Sequence, residues 1–210
     1  MKRTLAVLAF ALICALYFGP SVSALVTNGS FEAGNFSGWT KSSFINNGLS
    51  QPLGAGGADL SAIVGGAGVA PLSLSDPRSN NNLRFPAYGN YTARVNSQNS
   101  YSSGGFSRNG NRIVQTLPAY ADPSDGLAHV KFTYAAVMVN PTSSAHTNEQ
   151  KPYFRVRVIN ETNGNDVLHD FQSFVGEAGK NWQNGASFGS SEFWQYLDWT
   201  LIDLKSSPAH

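Results

Sequence analysis

The chain has 210 residues, 14 Lys and Arg against 13 Asp and Glu, a single cysteine and only 13% charged residues. A near-neutral balance with no basic cluster excludes a nucleic-acid interface built on phosphate neutralisation. One cysteine excludes an intramolecular disulfide framework, so an apolar core or a metal must hold the fold.

Residues 1–24 read as a signal peptide. Lys2 and Arg3 form a basic start, an apolar run follows from Leu5 to Phe18, and Gly19-Pro20 breaks it. Val22-Ser23-Ala24 then supplies the small residues of a cleavage site. The run is shorter than the roughly 20 residues that cross a bilayer as a helix. Cys14 lies inside it, and the preceding Ile13 is not the small residue of a lipid-anchor signal. The expectation is an exported chain whose residues 25–210 form one domain, long enough for a sizeable core. Without Lys2 and Arg3 its formal charge is −1. Four Asn-X-Ser/Thr sequons, at Asn28, Asn35, Asn90 and Asn160, matter only where the host glycosylates.

The stretch LVTNGSFEAGNFSGWT, Leu25 to Thr40, reads as strand, turn and strand. Phe31 and Trp39 are its natural core anchors, and its glycines and asparagines make the turns. Its lone acid, Glu32, has three readings: an acid catalyst, a metal ligand or a solvated turn residue. No partner acid accompanies it in the sequence, which disfavours the first.

Beyond this stretch, short aromatic and β-branched runs alternate with Gly, Ser and Asn, which is the all-β pattern. Strands are expected at Trp39–Ser43, Ala62–Val64, Tyr91–Val95, Arg112–Leu117, His129–Asn140, Tyr153–Asn160, Asp166–Val175 and Trp199–Leu204. The clearest is YFRVRVIN, where Phe154, Val156 and Val158 point one way and Tyr153, Arg155, Arg157 and Ile159 the other. Asn163-Gly164 marks a tight turn after it. Asn46–Pro71, Asp76–Asn82 and residues 96–111 read as loops. Seven or eight short strands suit an antiparallel β-sandwich, most simply a jelly roll. An immunoglobulin-type sandwich is the alternative, although its usual size is about 100 residues.

The thirteen acids sit in no distinctive catalytic motif. H-E-x-x-H and a P-loop are missing, and His129, His146, His169 and His210 are scattered. The expectation is a non-enzyme. In the loop Val139 to Phe154, His146 and Glu149 lie three apart. They read either as a weak metal pair or as groups bonding the loop backbone. The segment Lys180 to Trp199 mixes Trp182, Trp194, Tyr196 and Trp199 with amides. Sugar-holding surfaces stack pyranose faces on such rings and bond the hydroxyls with polar neighbours. Trp39 and Trp199 read as core. Trp182, Trp194 and Tyr196, with Asn181 and Gln195, are the candidate glycan-binding residues.

NGSFEAGNFSGWT resembles the opening of secreted bacterial carbohydrate-binding-like jelly rolls, the galactose-binding-like domains. FTYAAVMVNPTSSAHTNEQKPYFRVRVINETNG and DWTLIDL resemble related domains of large bacterial surface and gliding-type proteins. The likeness spans most of Leu25 to Leu204. It implies that Glu32 ligates a structural calcium, with Asn28 a weaker candidate, since calcium collects six to eight oxygens. Such domains continue past the tryptophan strand with strands that supply a further acid ligand. Here LKSSPAH ends the chain, so the expectation is a sandwich lacking its last strand or strands, with one edge unpaired. The expected function is secreted, non-catalytic glycan binding for attachment to a polysaccharide or cell surface, with no nucleic acid and no membrane insertion after cleavage. The alternative is a structural or adhesive extracellular protein with no small ligand.

Overall fold

The computed structural model describes residues 26–65, 74–96, 108–141, 146–162, 164–188 and 192–207. The expected signal peptide, residues 1–24, and Asn163 lie outside them. The described chain is all-β and antiparallel. Its strands are β1 (Thr40–Ile45), β2 (Ala62–Gly65), β3 (Tyr91–Arg94), β4 (Asn109–Val114), β5 (Ala128–Asn140), β6 (Tyr153–Asn160), β7 (Asp166–Phe174), β8 (Gln183–Phe188) and β9 (Glu192–Ser206). They pair as β1–β4, β2–β3, β6–β7 and a three-stranded sheet in the order β5–β9–β8.

Alternation along β6 sets one side of the core. Phe154, Val156 and Val158 are half-buried, while Arg155, Arg157 and Ile159 are exposed. The inner face of β6–β7 meets β5 through three rings. Tyr134 lies 5.7 Å from both Phe154 and Phe171, and those two lie 5.6 Å apart. On the outer face, the Arg155 guanidinium forks onto the Asp170 carboxylate across the ladder. Gly164 and Asn165 both take φ of 64°, the left-handed turn that the Asn-Gly signal anticipates.

The first half of β9 is the middle strand of its sheet, and both of its faces are covered there. Gln195, Tyr196 and Leu197 are therefore buried in succession. The β6–β7 hairpin covers one face. On the other, a single 3-10 turn, Pro77–Ser79, lies against β8 and β9. There the Arg78 guanidinium sits 5.0 Å from the Trp194 ring. That approach needs Gly185, where a Cβ would fall 2.0 Å from the Arg78 carbonyl oxygen.

Side chains extend the β1–β4 pair. Asn109 Oδ1 accepts from Ala58 N at 2.6 Å and Asn109 Nδ2 donates to Ala58 O at 2.8 Å. Asn111 Oδ1 accepts from Leu60 N at 2.9 Å, and its Nδ2 also donates to Ala58 O. Two amides thus hold an extended strap as a neighbouring strand would.

Three expectations shift. The strand expected at Arg112–Leu117 begins earlier, at Asn109, because Asn109 and Asn111 spend their polar groups on the strap. Residues 26–38 form turns and no strand, and Trp39 stacks on Phe31 at 5.2 Å just before β1. Lys180 to Trp199 holds β8 and the first half of β9, where a ring-lined binding segment was expected.

Leu197 is 7% exposed and Leu201, on the same strand, is 62% exposed. Leu197→Ala is expected to cost about 2–5 kcal/mol of unfolding free energy, and Leu201→Ala under about 0.5 kcal/mol. Urea titration of the two variants checks this difference.

Candidate functional site

The structure separates the rings and amides that the sequence grouped. Tyr196 is 4% exposed and Gln195 is 8% exposed, so neither presents a surface for stacking or hydroxyl binding. This corrects their placement at a ligand face. The reason is the central position of β9, which the sequence pattern does not reveal. Trp194 is half-buried beneath Arg78. Trp182 is half-buried too, edge-on to Phe154 at 6.2 Å, and its Nε1 donates to Ser173 Oγ at 3.1 Å. Asn181 is exposed beside it. Because adjacent strand residues alternate, Trp194 and Gln195 point to opposite faces of the sheet.

What the structure assembles instead is a chain of amides across β5, β9 and β8. Asn140 Nδ2 donates to Gln195 Oε1 at 3.0 Å, and Gln195 Nε2 donates to Asn184 Oδ1 at 3.0 Å. On the opposite face, the Tyr196 hydroxyl donates to Gln183 Oε1 at 2.9 Å. Gln183 and Asn184 are exposed and lie on β8, at one side of the sheet. Both turn their amide oxygens inward. Their NH2 groups make no hydrogen bond among the described residues, so each is an oriented, neutral donor. Asn140, Gln183 and Asn184 escaped the sequence reading. Amide density in NWQNG was the available signal, but their orientation depends on partners eleven to fifty-five residues away.

Glu32 bonds the loop that carries Asn90 and Tyr91. Its Oε1 accepts from Asn90 N at 2.8 Å and Tyr91 N at 3.1 Å, and its Oε2 accepts from Asn90 Nδ2 at 3.1 Å. The Asn90 amide is the main cause holding its pKa below the usual carboxylate value. Asn28 Oδ1 accepts from Ala33 N, and its Nδ2 donates to Asn35 O at 2.7 Å. A calcium ion needs a shell of oxygens. Here the two expected ligands already accept from N–H donors, which compete with a cation for the same oxygens. No cluster of three or more His, Cys, Asp or Glu suited to a metal occurs among the described residues.

Glu149 bonds a distant segment and not the backbone of its own loop. Its Oε1 accepts from Ser50 Oγ at 2.7 Å and its Oε2 from Ser50 N at 2.9 Å, while its carbonyl accepts from Leu49 N. The Ser50 hydroxyl leads in lowering its pKa. Asp125 is drawn down to about 2, first by His129, then by the Leu127 amide and Lys205.

Glu32, Asp125 and Glu149 all have folded pKa values below their unfolded ones. Each therefore adds stability above its unfolded value, and that contribution disappears as pH falls through the folded value. Urea midpoints are expected to hold level from pH 7 to about 5 and to fall between about pH 4 and 2. Glu32→Gln should shrink that fall, because a neutral amide bonds Asn90 at every pH. EDTA should leave the melting temperature unchanged; a drop reversed by calcium would restore a metal role for this region.

No protein family, curated protein or solved structure matches this chain.

Proposed function

We propose that this chain is a secreted, non-catalytic β-sandwich module of the jelly-roll kind that binds glycan and attaches its bearer to a polysaccharide or cell surface. The observation that carries the binding role is that β8 holds an oriented amide donor on each face of its sheet. Gln183 and Asn184 have their oxygens tied to Tyr196 and Gln195, which leaves neutral N–H groups turned away from those partners. Neutral donors suit ring and hydroxyl oxygens of an uncharged sugar, and prepaying their orientation lowers the entropy lost on binding. Asn181 and the accessible part of Trp182 lie on the approach to the same strand. Export rests on the leader sequence. No helix among the described residues is long and apolar enough to cross a membrane.

A second reading has its own support. Tyr196 is buried, Trp194 lies under Arg78 and Trp182 bonds Ser173, so these rings serve packing. That favours a structural or adhesive extracellular protein without a small ligand.

Affinity electrophoresis through a panel of soluble polysaccharides separates the two. The glycan reading expects retardation by at least one polymer. It also expects Gln183→Ala and Asn184→Ala to weaken binding about twofold to tenfold each, the worth of one net hydrogen bond of about 0.5–1.5 kcal/mol. Free migration through every gel would favour the structural reading.

A further inference from the structure

We propose that Tyr88 is the sugar-stacking ring of this protein, presented on a loop that Glu32 and Trp199 hold at its two ends. The proposal rests on the glycan reading above and places a binding surface where the sequence signals none.

Tyr88 is 73% exposed, while Trp182 and Trp194 are half-buried and Tyr196 is buried. A single exposed aromatic is ordinary on a protein surface. What distinguishes this one is the fixing of the chain on either side. On the leading side, Trp199 Nε1 donates to Arg84 O at 2.5 Å, and Phe85 N donates to Leu74 O at 3.0 Å. Arg84 Nη2 then reaches Ala87 O at 3.3 Å, and the intervening Pro86 is fully buried. On the trailing side, Glu32 takes the N–H groups of both Asn90 and Tyr91. Gly89 permits that grip. It has φ of 68°, and a Cβ there would fall 2.3 Å from Glu32 Oε1. Every residue from Arg84 to Tyr91 except Tyr88 and Gly89 is therefore bonded to a neighbour or packed inward. The loop is ordered at both ends and turns its aromatic residue to solvent.

This arrangement suits a pyranose. The apolar face of the sugar covers the ring, an interaction strengthened when the ring is held in place beforehand. Asn90 lies two residues on and is exposed, with Nδ2 tied to Glu32 and Oδ1 making no hydrogen bond among the described residues. Oδ1 is thus an oriented acceptor for a sugar hydroxyl. The opening motif then acquires a role in binding: Glu32 is a positioning residue for the Tyr88 loop.

The test is a comparison of intact wild type with Tyr88→Ala, Tyr88→Phe and Glu32→Gln on the same polysaccharide gels. Laminarin, xylan, hydroxyethyl cellulose and galactomannan serve as probes. Tyr88→Ala is expected to melt like wild type, because the ring is exposed, and to lose affinity about tenfold. Tyr88→Phe is expected to retain it, and Glu32→Gln to weaken it with a fall in melting temperature. Nitration of Tyr88 by tetranitromethane, followed by peptide mass spectrometry, should be slowed by the bound polymer. If wild type binds a polymer while Tyr88→Ala binds equally and nitration is unprotected, this proposal is overturned and the glycan reading stands. If wild type binds none of the polymers, both fall.

Discussion

The long ladder between β5 and β9 is the element on which the rest of the molecule depends. It runs from Ala128 opposite Ser206 to Asn140 opposite Phe193, with one register shift between Tyr134 and Ala136. Because β9 also pairs with β8, its first half has neighbours at both edges, and layers pack on both its faces. A strand so enclosed has little choice of side chain on either face. Tyr196 and Leu197 fill space, and Gln195 must find amide partners at both ends or leave a buried polar group unpaired. The amide chain through Asn140, Gln195 and Asn184 is the consequence, and it sets the direction of the outermost amide.

The same economy of polar side chains recurs wherever the backbone ladders stop. Asn109 and Asn111 hold the strap at Ala58 to Leu60, Glu149 holds Leu49 and Ser50, and Glu32 holds Asn90 and Tyr91. Each uses a side-chain oxygen where a neighbouring strand would have used a carbonyl. These bonds join segments far apart in sequence without any disulfide. The two carboxylates, Glu149 and Glu32, are close to the solvent, and their bonds contribute most where the acceptor is ionised and least in acid. The function proposed for the molecule depends on this same device, since ordered donors and an ordered loop bind with less entropic loss than free ones.

The sequence was most legible where one face of a strand is buried and the other solvated. YFRVRVIN met its observed boundaries because period-two alternation is a direct image of that environment. It was least legible in Lys180 to Trp199. There Gly, Asn and Ser conceal the strand that pairing of Gln183 with Tyr196 and Asn184 with Gln195 makes. Likewise Asn109 and Gly110 read as turn residues, yet the glycine lies beneath the Phe44 ring, where a Cβ would fall 2.1 Å from it. In both cases a tertiary neighbour overrides local propensity. The candidate site suffered most, because a tryptophan written beside amides looks the same whether its ring is open to solvent or lies under an arginine.

Composition and periodicity by themselves determined that this chain is all-β, that it carries no disulfide framework, and where the half-buried strands and several turns fall. These properties follow from local chemistry: branched and aromatic residues in alternation, and glycine or asparagine where φ turns positive. Tertiary structure alone decided which rings face solvent, which way each amide points and what Glu32 holds. Those outcomes depend on register and on layers brought together from distant parts of the chain. A carboxylate in NGSFEAG has the same sequence wherever it lies, and only the approach of that loop brings it the amides of Asn90 and Tyr91.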